Sequence, residues 1–304
     1  MAIPFIRDID FEYGKVDQVS PLIRRVVANN PGPFTFVGTG VYIVGKGEVA
    51  VIDPGPHDEA HFEALKSALE GETVKCVLVT HGHSDHSPLA RPLAEWAGCK
   101  VYAKDCGKPT AKGELGSEDD RDFYPDEILR DGDTFSGLGW TLEAIETPGH
   151  TCSHICFDLK EENACFTGDH IMGWSTTIVA PPDGNMSDYF RSLDKIENRD
   201  FDMLWPTHGS PIEGRAFVKE FIQAYRQHRQ DREDGILSQM EAGVVAIPSI
   251  VEALYIGLEP RLIPAACMSV LGHMVKLIDE GRVAHDDKVP NLQTEYRLID
   301  VEAL

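Results

Sequence analysis

The first two thirds of the chain alternate short apolar runs with segments of helical periodicity. Residues 40–45 and 47–52 are apolar runs joined through glycine, and this pattern predicts a β-hairpin. Residues 58–70 repeat apolar side chains at helical spacing with charges on the opposite face, as in an amphipathic helix. Strands that alternate with helices are typical of an α/β fold.

Several later apolar runs stop at polar motifs. We predict strands at residues 74–80, 101–103, 141–147, 153–159, 163–167 and 201–205, and helices from Pro88 and at 187–198. Active sites of open α/β sheets usually lie at the carboxyl ends of strands, so we expect the functional residues there. Residues 105–127 are charged and loop-like, and they could border or cover a cleft.

The pattern changes near residue 216. Three helices and then two short strands are predicted at 216–241, 249–256, 265–280, 281–284 and 296–299. We therefore divide the chain into an α/β domain at 1–215 and a helical, winged-helix-like C-terminal module at 216–304. The module is rich in Asp and Glu, so a lid or a homodimer surface is as good an interpretation as nucleic-acid binding.

The charge of the chain narrows the choice of partners. It carries 50 acidic and 28 basic residues, a net charge of −22, and an acidic surface repels polyanions at long range. The nearest approach to a basic cluster is Arg226, Arg229 and Arg232, which we interpret as the solvated face of a helix. A nucleic-acid partner is therefore possible but disfavoured, and a small-molecule substrate is favoured.

The cysteines and the N-terminal residues indicate the cellular compartment in which the protein is expected. The seven cysteines form no CxxC pair, and most lie in apolar runs such as the one around Cys76, which indicates buried, reduced thiols. The first residues lack the basic and then apolar pattern of a secretion signal, and no run approaches 18 apolar residues. We predict a cytoplasmic protein that does not associate with a membrane.

Metal-binding side chains gather at the ends of the predicted strands. Residues 81–86 contain three histidines and one aspartate, and further candidates follow other strands: His150, Asp169, His208 and Asp53. Imidazole and carboxylate are ligands of Zn²⁺. A His-x-His loop can direct two imidazoles to one ion while the adjacent Asp-His pair faces a second. The pattern therefore predicts a zinc site.

The order of these motifs resembles that of the metallo-β-lactamase superfamily. The resemblance lies in residues 80–86 (THGHSDH), 147–151 (TPGHT), 167–169 (TGD) and 207–209 (THG), and it spans most of residues 30–212. It implies that the α/β part is a catalytic domain with an αββα sandwich fold.

The resemblance also implies the ligands of two zinc ions per chain. One zinc would be held by His81, His83 and His150, and the other by Asp85, His86 and His208. Asp169 would bridge the ions, and Asp53 would support the ligands from behind. A hydroxide between the ions would then be the nucleophile, and Asp85 would orient it or accept its proton. Asp85 and Asp169 are thus the catalytic candidates.

A closer resemblance covers nearly the whole chain and narrows the function. Residues 30–35 and 40–45, the segment after Asp169 and the C-terminal module are similar to the β-lactamase-like protein 2 subgroup. Human members of that subgroup are described as single-strand endoribonucleases, and related fungal proteins as polyketide-releasing thioesterases. Asp169 argues against a true β-lactamase, since many of those enzymes have Cys there.

Three functions follow from these resemblances and from the charge. We favour a hydrolase of a small thioester, ester or lactam-type substrate, and a single-strand endoribonuclease is the alternative. A metal-binding or interaction protein without catalysis is disfavoured by the complete ligand set.

Four residues beside the motifs are weaker candidates. His154 is interpreted as a partner that supports a ligand from behind or as a packed histidine. His170 points away from the metals if its strand continues, and contact with substrate is the other option. Trp174 and Ser175 could line the cleft, Trp174 as a stacking surface.

Overall fold

The computed structural model describes residues 2–106, 120 and 123–299, and these form a four-layer sandwich followed by a helical module. The seven strands of the first sheet lie in chain order: β1 (Val16–Gln18), β2 (Ile23–Val27), β3 (Gly40–Lys46), β4 (Glu48–Ile52), β5 (Thr73–Leu78), β6 (Lys100–Ala103) and β7 (Glu127–Ile128). Strands β1 to β4 pair antiparallel, and β4 to β7 pair parallel.

The second sheet has six strands in the order β13-β12-β11-β10-β9-β8. They are β8 (Thr134–Gly137), β9 (Trp140–Glu146), β10 (Ile155–Leu159), β11 (Ala164–Gly168), β12 (Met203–Pro206) and β13 (Ile212–Glu213). Of the strand pairs described in this sheet, only β11–β12 is parallel. The parallel pairing brings the carboxyl ends of β11 and β12 to the same edge.

Helices cover the outer faces of both sheets: α1 (Glu59–Ala68) and α2 (Ala90–Ala97) lie on the first sheet, and α3 (Met186–Glu197) and α4 (Arg215–Glu241) lie on the second. Two further helices, α5 (Ile247–Leu254) and α6 (Ile263–Asp279), pack with the second half of α4 instead. Along β3, Tyr42 and Val44 pack between the sheets, whereas Val41 and Ile43 pack toward the residues of α1 and α2. Burial on both faces explains why these strands are continuous apolar runs. The predicted α/β fold and αββα sandwich are confirmed.

Sequence patterning missed strand β8. Its residues alternate between exposed and half-buried, and Phe135 is its contribution to the core between the sheets. Gly137 lies under the indole of Trp140, where an added Cβ would approach the ring nitrogen to 2.5 Å. A short edge strand with one apolar side chain gives no periodic signal.

The C-terminal part has the predicted order of three helices and a hairpin, in which β14 (Val283–Ala284) pairs with β15 (Arg297–Leu298). Helix α4 begins at the predicted division, and it belongs to two cores. Its first half, including Phe221 and Tyr225, packs under the second sheet. Its second half, including Ile236 and Met240, packs with α5 and α6.

The segment Pro260–Asp279, which contains α6, is long and apolar enough to cross a membrane by length and composition. Half of its apolar stretch is buried inside the structure. Val270, Met274 and Leu277 lie in the core of the C-terminal module, and this packing also accounts for the apolar composition.

Two cysteines depart from the prediction of reduced thiols. Cys106 and Cys152 form a disulfide between the end of β6 and the loop after β9. Such a pair cannot be deduced from the sequence, because its members are 46 residues apart and meet only in the fold. The other five cysteines are free, and all but Cys99 are buried. The cytoplasmic location stays a prediction.

Candidate metal centre

Loops at the ends of four strands meet at one edge of the sandwich. Residues 81–86 follow β5, His150 follows β9, Asp169 follows β11 and His208 follows β12. The structure brings all seven predicted ligands together in two groups, within which the ligand atoms lie no more than 4.8 Å apart. The groups are His81, His83, His150 and Asp169, and Asp85, His86 and His208.

The first group directs three imidazoles at one point. The Nε2 atom of His81 lies 2.8 Å from Nδ1 of His83, and Nε2 of His150 lies 3.2 Å from the same Nδ1. Asp169 Oδ2 is 3.7 Å from His150 Nε2. Nitrogens around one tetrahedral zinc lie about 3.3 Å apart, since each Zn–N bond is about 2.0–2.1 Å. The donors of this group thus have nearly the spacing of a metal site.

The second group shares Asp169 with the first. His208 Nε2 lies 3.1 Å from Asp85 Oδ2, and His86 Nε2 lies 3.6 Å from the same oxygen. The other carboxylate oxygen of Asp169, Oδ1, is 3.4 Å from His208 Nε2 and 3.6 Å from His86 Nε2. The two oxygens of Asp169 therefore face different groups.

Among the described residues, no hydrogen-bond partner is found for three buried ligand atoms of these groups: His86 Nε2, His208 Nε2 and Asp169 Oδ1. A buried polar atom without a hydrogen bond lowers the free energy of unfolding by about 1–3 kcal/mol. Clusters of such atoms are therefore uncommon. A cation between them would satisfy all three at once. The donor set and its orphaned atoms fit a metal ion.

The protonation of the first group also suits a metal. Burial, together with the neighbouring histidines, lowers the pKa of His81 well below its usual value and that of His83 to about 3. Burial opposes ionisation of Asp169, yet the charges of His208 and His86 hold its pKa well below the usual range. Neutral imidazoles and an ionised carboxylate are the forms that coordinate.

Asp53 holds the second group from behind. It is fully buried with a left-handed φ of 49°, and its oxygens accept hydrogen bonds from the Thr80 amide (2.7 Å), the Thr80 hydroxyl (2.8 Å) and the Thr207 hydroxyl (3.0 Å). The fourth bond, 2.8 Å long, comes from His86 Nδ1. Because Nδ1–H donates to Asp53, the Nε2 atom of His86 is free for a metal.

Backbone carbonyls fix two other histidines. His150 Nδ1 donates to the carbonyl of Ile178 (2.6 Å), and His208 Nδ1 donates to the carbonyl of Gly38 (3.1 Å). Each bond leaves Nε2 for the metal site. Sequence reasoning missed Ile178 and Gly38, because any residue type can supply a carbonyl.

His154 lies behind Asp169 rather than among the ligands. Its Nε2 accepts a hydrogen bond from the Asp169 amide (3.2 Å), and its Nδ1 lies 2.8 Å from the Thr147 hydroxyl. Gly168, with a φ of 51°, makes this approach possible, since an added Cβ would lie 2.6 Å from His154 Nε2. His154 thereby positions the backbone of Asp169.

His170 does not reach the site. It is fully buried, with its ring 4.9 Å from that of Tyr189 and 6.0 Å from that of His154. The option of contact with substrate is therefore wrong, because the chain turns after Asp169 and places His170 in the core.

Trp174 and Ser175 lie on the segment that follows. Trp174 is half-buried and stacks on Phe36, with ring centroids 4.9 Å apart and an interplanar angle of 14°. Both rings lie against Gly209, the residue after His208. Ser175 is half-buried, and its carbonyl accepts a hydrogen bond from the Tyr225 hydroxyl. Phe36 was not a sequence candidate, and its left-handed φ of 56° is the backbone feature that marks it.

The predicted cleft-bordering loop, residues 105–127, lies largely outside the described residues. Where it is described, the Asp120 amide donates to the Gly82 carbonyl (3.0 Å), and the Ser87 hydroxyl donates to the Asp120 carboxylate (3.1 Å). Phe123 lies over Gly82, within 3.5 Å of an added Cβ. These residues border the histidine loop.

The prediction of a solvated face on α4 is wrong for Arg229. Its side chain is buried and donates to the carbonyl of Thr177, whose hydroxyl donates to the carbonyl of Asp169. Arg226 pairs with a carboxylate near the surface, and Arg232 lies over an aromatic ring. The cause is that α4 is covered by the second sheet and by the C-terminal helices, so its polar positions are not all in solvent.

Comparison with known proteins assigns both parts of the chain. Residues 35–208 match the Metallo-beta-lactamase superfamily, and residues 246–290 match the Beta-lactamase associated winged helix domain. The lactamase-like protein adaB of Aspergillus niger is 29% identical over 90% of this chain and 85% of its own. An atrochrysone carboxyl ACP thioesterase of Aspergillus fumigatus is 33% identical over 75% of this chain and 67% of its own.

A worm relative is similar in sequence, and two solved structures share the fold. The beta-lactamase-like protein 2 homolog of Caenorhabditis elegans is 32% identical over 74% of this chain and 73% of its own. A beta-lactamase domain protein from Burkholderia ambifaria superposes with a TM-score of 0.77 at 22% identity, over 96% of both chains. A metallo-beta-lactamase family protein from Thermus thermophilus gives 0.73 at 22% identity, over 92% of this chain and all of its own. With its fold, its paired His/Asp groups and these matches, the chain belongs to the metallo-beta-lactamase superfamily of hydrolytic enzymes.

Proposed function

We propose that the protein is a dinuclear zinc hydrolase that cleaves an acyl thioester. The observation that carries the proposal is the position of Asp169, whose two oxygens face the two His/Asp groups. One carboxylate placed in this way suits a pair of ions that share a ligand. Imidazole-rich donors with carboxylates favour zinc over magnesium or calcium.

The first zinc would be held by His81, His83, His150 and Asp169, and the second by Asp85, His86, His208 and Asp169. When bound, the ions supply a hydroxide at neutral pH and polarise the carbonyl of the substrate. The remaining part of the proposed chemistry falls to side chains of the protein. Asp85 is the more exposed of the two carboxylate ligands, with 20% of its side chain accessible against 11% for Asp169. This exposure supports the role that we assign to Asp85, which is to orient the attacking water and accept its proton.

The substrate class rests on three observations. The relative from Aspergillus fumigatus is named as a thioesterase that acts on an acyl carrier protein substrate. The Phe36–Trp174 pair provides a flat apolar surface beside His208, which suits a planar acyl group. The net charge of −22 disfavours RNA, the substrate of the alternative endoribonuclease function.

The experiment is a substrate panel on zinc-loaded protein. It contains the N-acetylcysteamine thioesters of benzoate and acetate, a cephalosporin, an aryl lactone and a single-stranded RNA. We expect the benzoyl thioester to be turned over fastest, and the activity to vanish on chelation and return with zinc.

The Asp169→Ala variant is the control for the panel. It should lose turnover and bind fewer than two zinc ions. RNA cleavage that follows zinc content and is lost in Asp169→Ala, without thioester cleavage, would overturn the proposal. Wild-type protein that binds no zinc would do so as well.

A further inference from the structure

The C-terminal helices pack directly on the segment that follows Asp169. The Tyr225 hydroxyl of α4 lies 2.7 Å from the Met172 carbonyl and 3.1 Å from the Met172 amide. From α6, Gly272 meets the same segment, since an added Cβ would lie 2.7 Å from the Val179 carbonyl oxygen. Residues 172–179 are thus held between the metal centre and the C-terminal module.

Arg229 makes a charged contact in this interface. It is 2% exposed, one guanidinium nitrogen donates to the Thr177 carbonyl, and the guanidinium lies 5.3 Å from the centre of the Tyr189 ring. A buried cation is costly unless it is hydrogen-bonded, and the bond to Thr177 is what offsets part of this cost for Arg229. The carbonyl of Thr177 is thereby tied to α4.

Two residues of the tied segment touch metal ligands. The Thr177 hydroxyl donates to the carbonyl of Asp169, and the Ile178 carbonyl accepts the Nδ1 hydrogen bond of His150 at 2.6 Å. Asp169 and His150 belong to the same group and face each other across 3.7 Å. A shift of residues 177–178 would therefore move both ligands of one site together.

We infer that Arg229 is a positioning residue that couples helix α4 to the metal site of His81, His83, His150 and Asp169. It acts through Thr177 and Ile178 and does not itself contact metal or substrate. The C-terminal module is in this way part of the construction of the metal centre. The inference rests on the zinc centre proposed above.

The test compares Arg229→Met with Arg226→Met in the full chain. Methionine keeps an unbranched apolar stem and removes every donor. Arg226 lies on the same helix and pairs with Asp194 near the surface, so it is the matched control. Zinc is titrated against a chromophoric chelator to resolve two affinities, and Co²⁺ is substituted to record the visible spectrum. No activity is required for either measurement.

We expect Arg229→Met to weaken one of the two zinc affinities about 10–100-fold, as loss of a partner behind a ligand does, and to alter the Co²⁺ spectrum. The other affinity should fall less, because Asp169 is the one ligand that the two sites share, and both affinities of Arg226→Met should match wild type. If Arg229→Met lowers the Tm of the apo and zinc-loaded proteins equally and leaves both affinities unchanged, the role is merely structural and the inference fails.

A second variant keeps the inference testable if Arg229→Met does not fold. Thr177→Val is nearly isosteric and removes only the hydroxyl that donates to Asp169. It should weaken the same zinc site, and unchanged affinities would overturn the inference. Where both variants fold, the double variant should bind zinc no more weakly than the single variant with the lower zinc affinity. Wild-type protein that binds no zinc would instead refute the proposed function.

Discussion

Replacing Asp53 with asparagine should weaken one zinc site and leave the fold intact. The carboxylate accepts four buried hydrogen bonds, and the one from His86 Nδ1 at 2.8 Å decides which ring nitrogen carries the proton. The other nitrogen, His86 Nε2, is buried in the second group and has no hydrogen-bond partner in the part of the chain that the structure describes. It is the atom that would bind metal.

The magnitude follows from what an amide can do at this position. Asparagine keeps one acceptor oxygen and puts an NH₂ group where the other oxygen stood. The hydroxyls of Thr80 and Thr207 can rotate to accept from that group, but an Nδ1–H of His86 cannot. The ring must then move its proton to Nε2 or lose the bond. Loss of such a partner weakens metal binding about 10–100-fold, which is about 1.4–2.7 kcal/mol.

The expected cost to folding is smaller than the stability of the domain. One altered charge-assisted hydrogen bond contributes about 1.5–3 kcal/mol, against a total of about 5–15 kcal/mol, so the apo protein should stay folded. Asp53→Ala, in contrast, would strand four donors at about 1–3 kcal/mol each and is expected to unfold. The asparagine variant therefore separates metal binding from folding.

The assay is a zinc titration of Asp53→Asn against a chromophoric chelator, with urea unfolding of the apo protein beside it. Thr207→Val is the control, because it removes one bond to Asp53 and leaves the His86 bond in place. Repeating the titration in a His150→Ala background assigns the weakened site. Unchanged affinities in Asp53→Asn, or weakening confined to the His150 site, would refute the tautomer argument.

Three other changes test separate parts of the molecule. Trp174→Ala should raise KM for the benzoyl thioester several-fold and leave the acetyl thioester unaffected, since the stacking surface is lost; equal effects in steady-state kinetics would contradict this. Gly168→Ala should lower the free energy of unfolding by about 1–3 kcal/mol in urea, because its φ is 51° and an added Cβ meets His154. Cys152→Ser should lower the Tm of the oxidised protein and leave the Tm of the reduced protein unchanged, because it removes the disulfide. In the wild type, alkylation followed by mass spectrometry should count five free thiols.

The sequence was informative wherever a side chain both sets the local structure and performs the chemistry. Strand β5 is an apolar run that stops where the histidine loop begins, and the ends of β11 and β12 carry Asp169 and His208. Because parallel neighbours end at the same edge, these motifs could be expected to converge. The disulfide and strand β8 gave no such signal, since one depends on distant segments meeting and the other has a single core residue.

The residues that hold the ligands in place are harder to predict for a physical reason. Ile178 and Gly38 act through carbonyl groups, which every residue has, so no residue type marks the role. Arg229 stands between Arg226 and Arg232 and shares their residue type, yet it is the buried one. Helix periodicity tells which positions face together, not how many sides of the helix are covered. On α4, the C-terminal helices cover a second side, and that packing turns a residue with the pattern of a solvated arginine into a support for Asp169 and its segment.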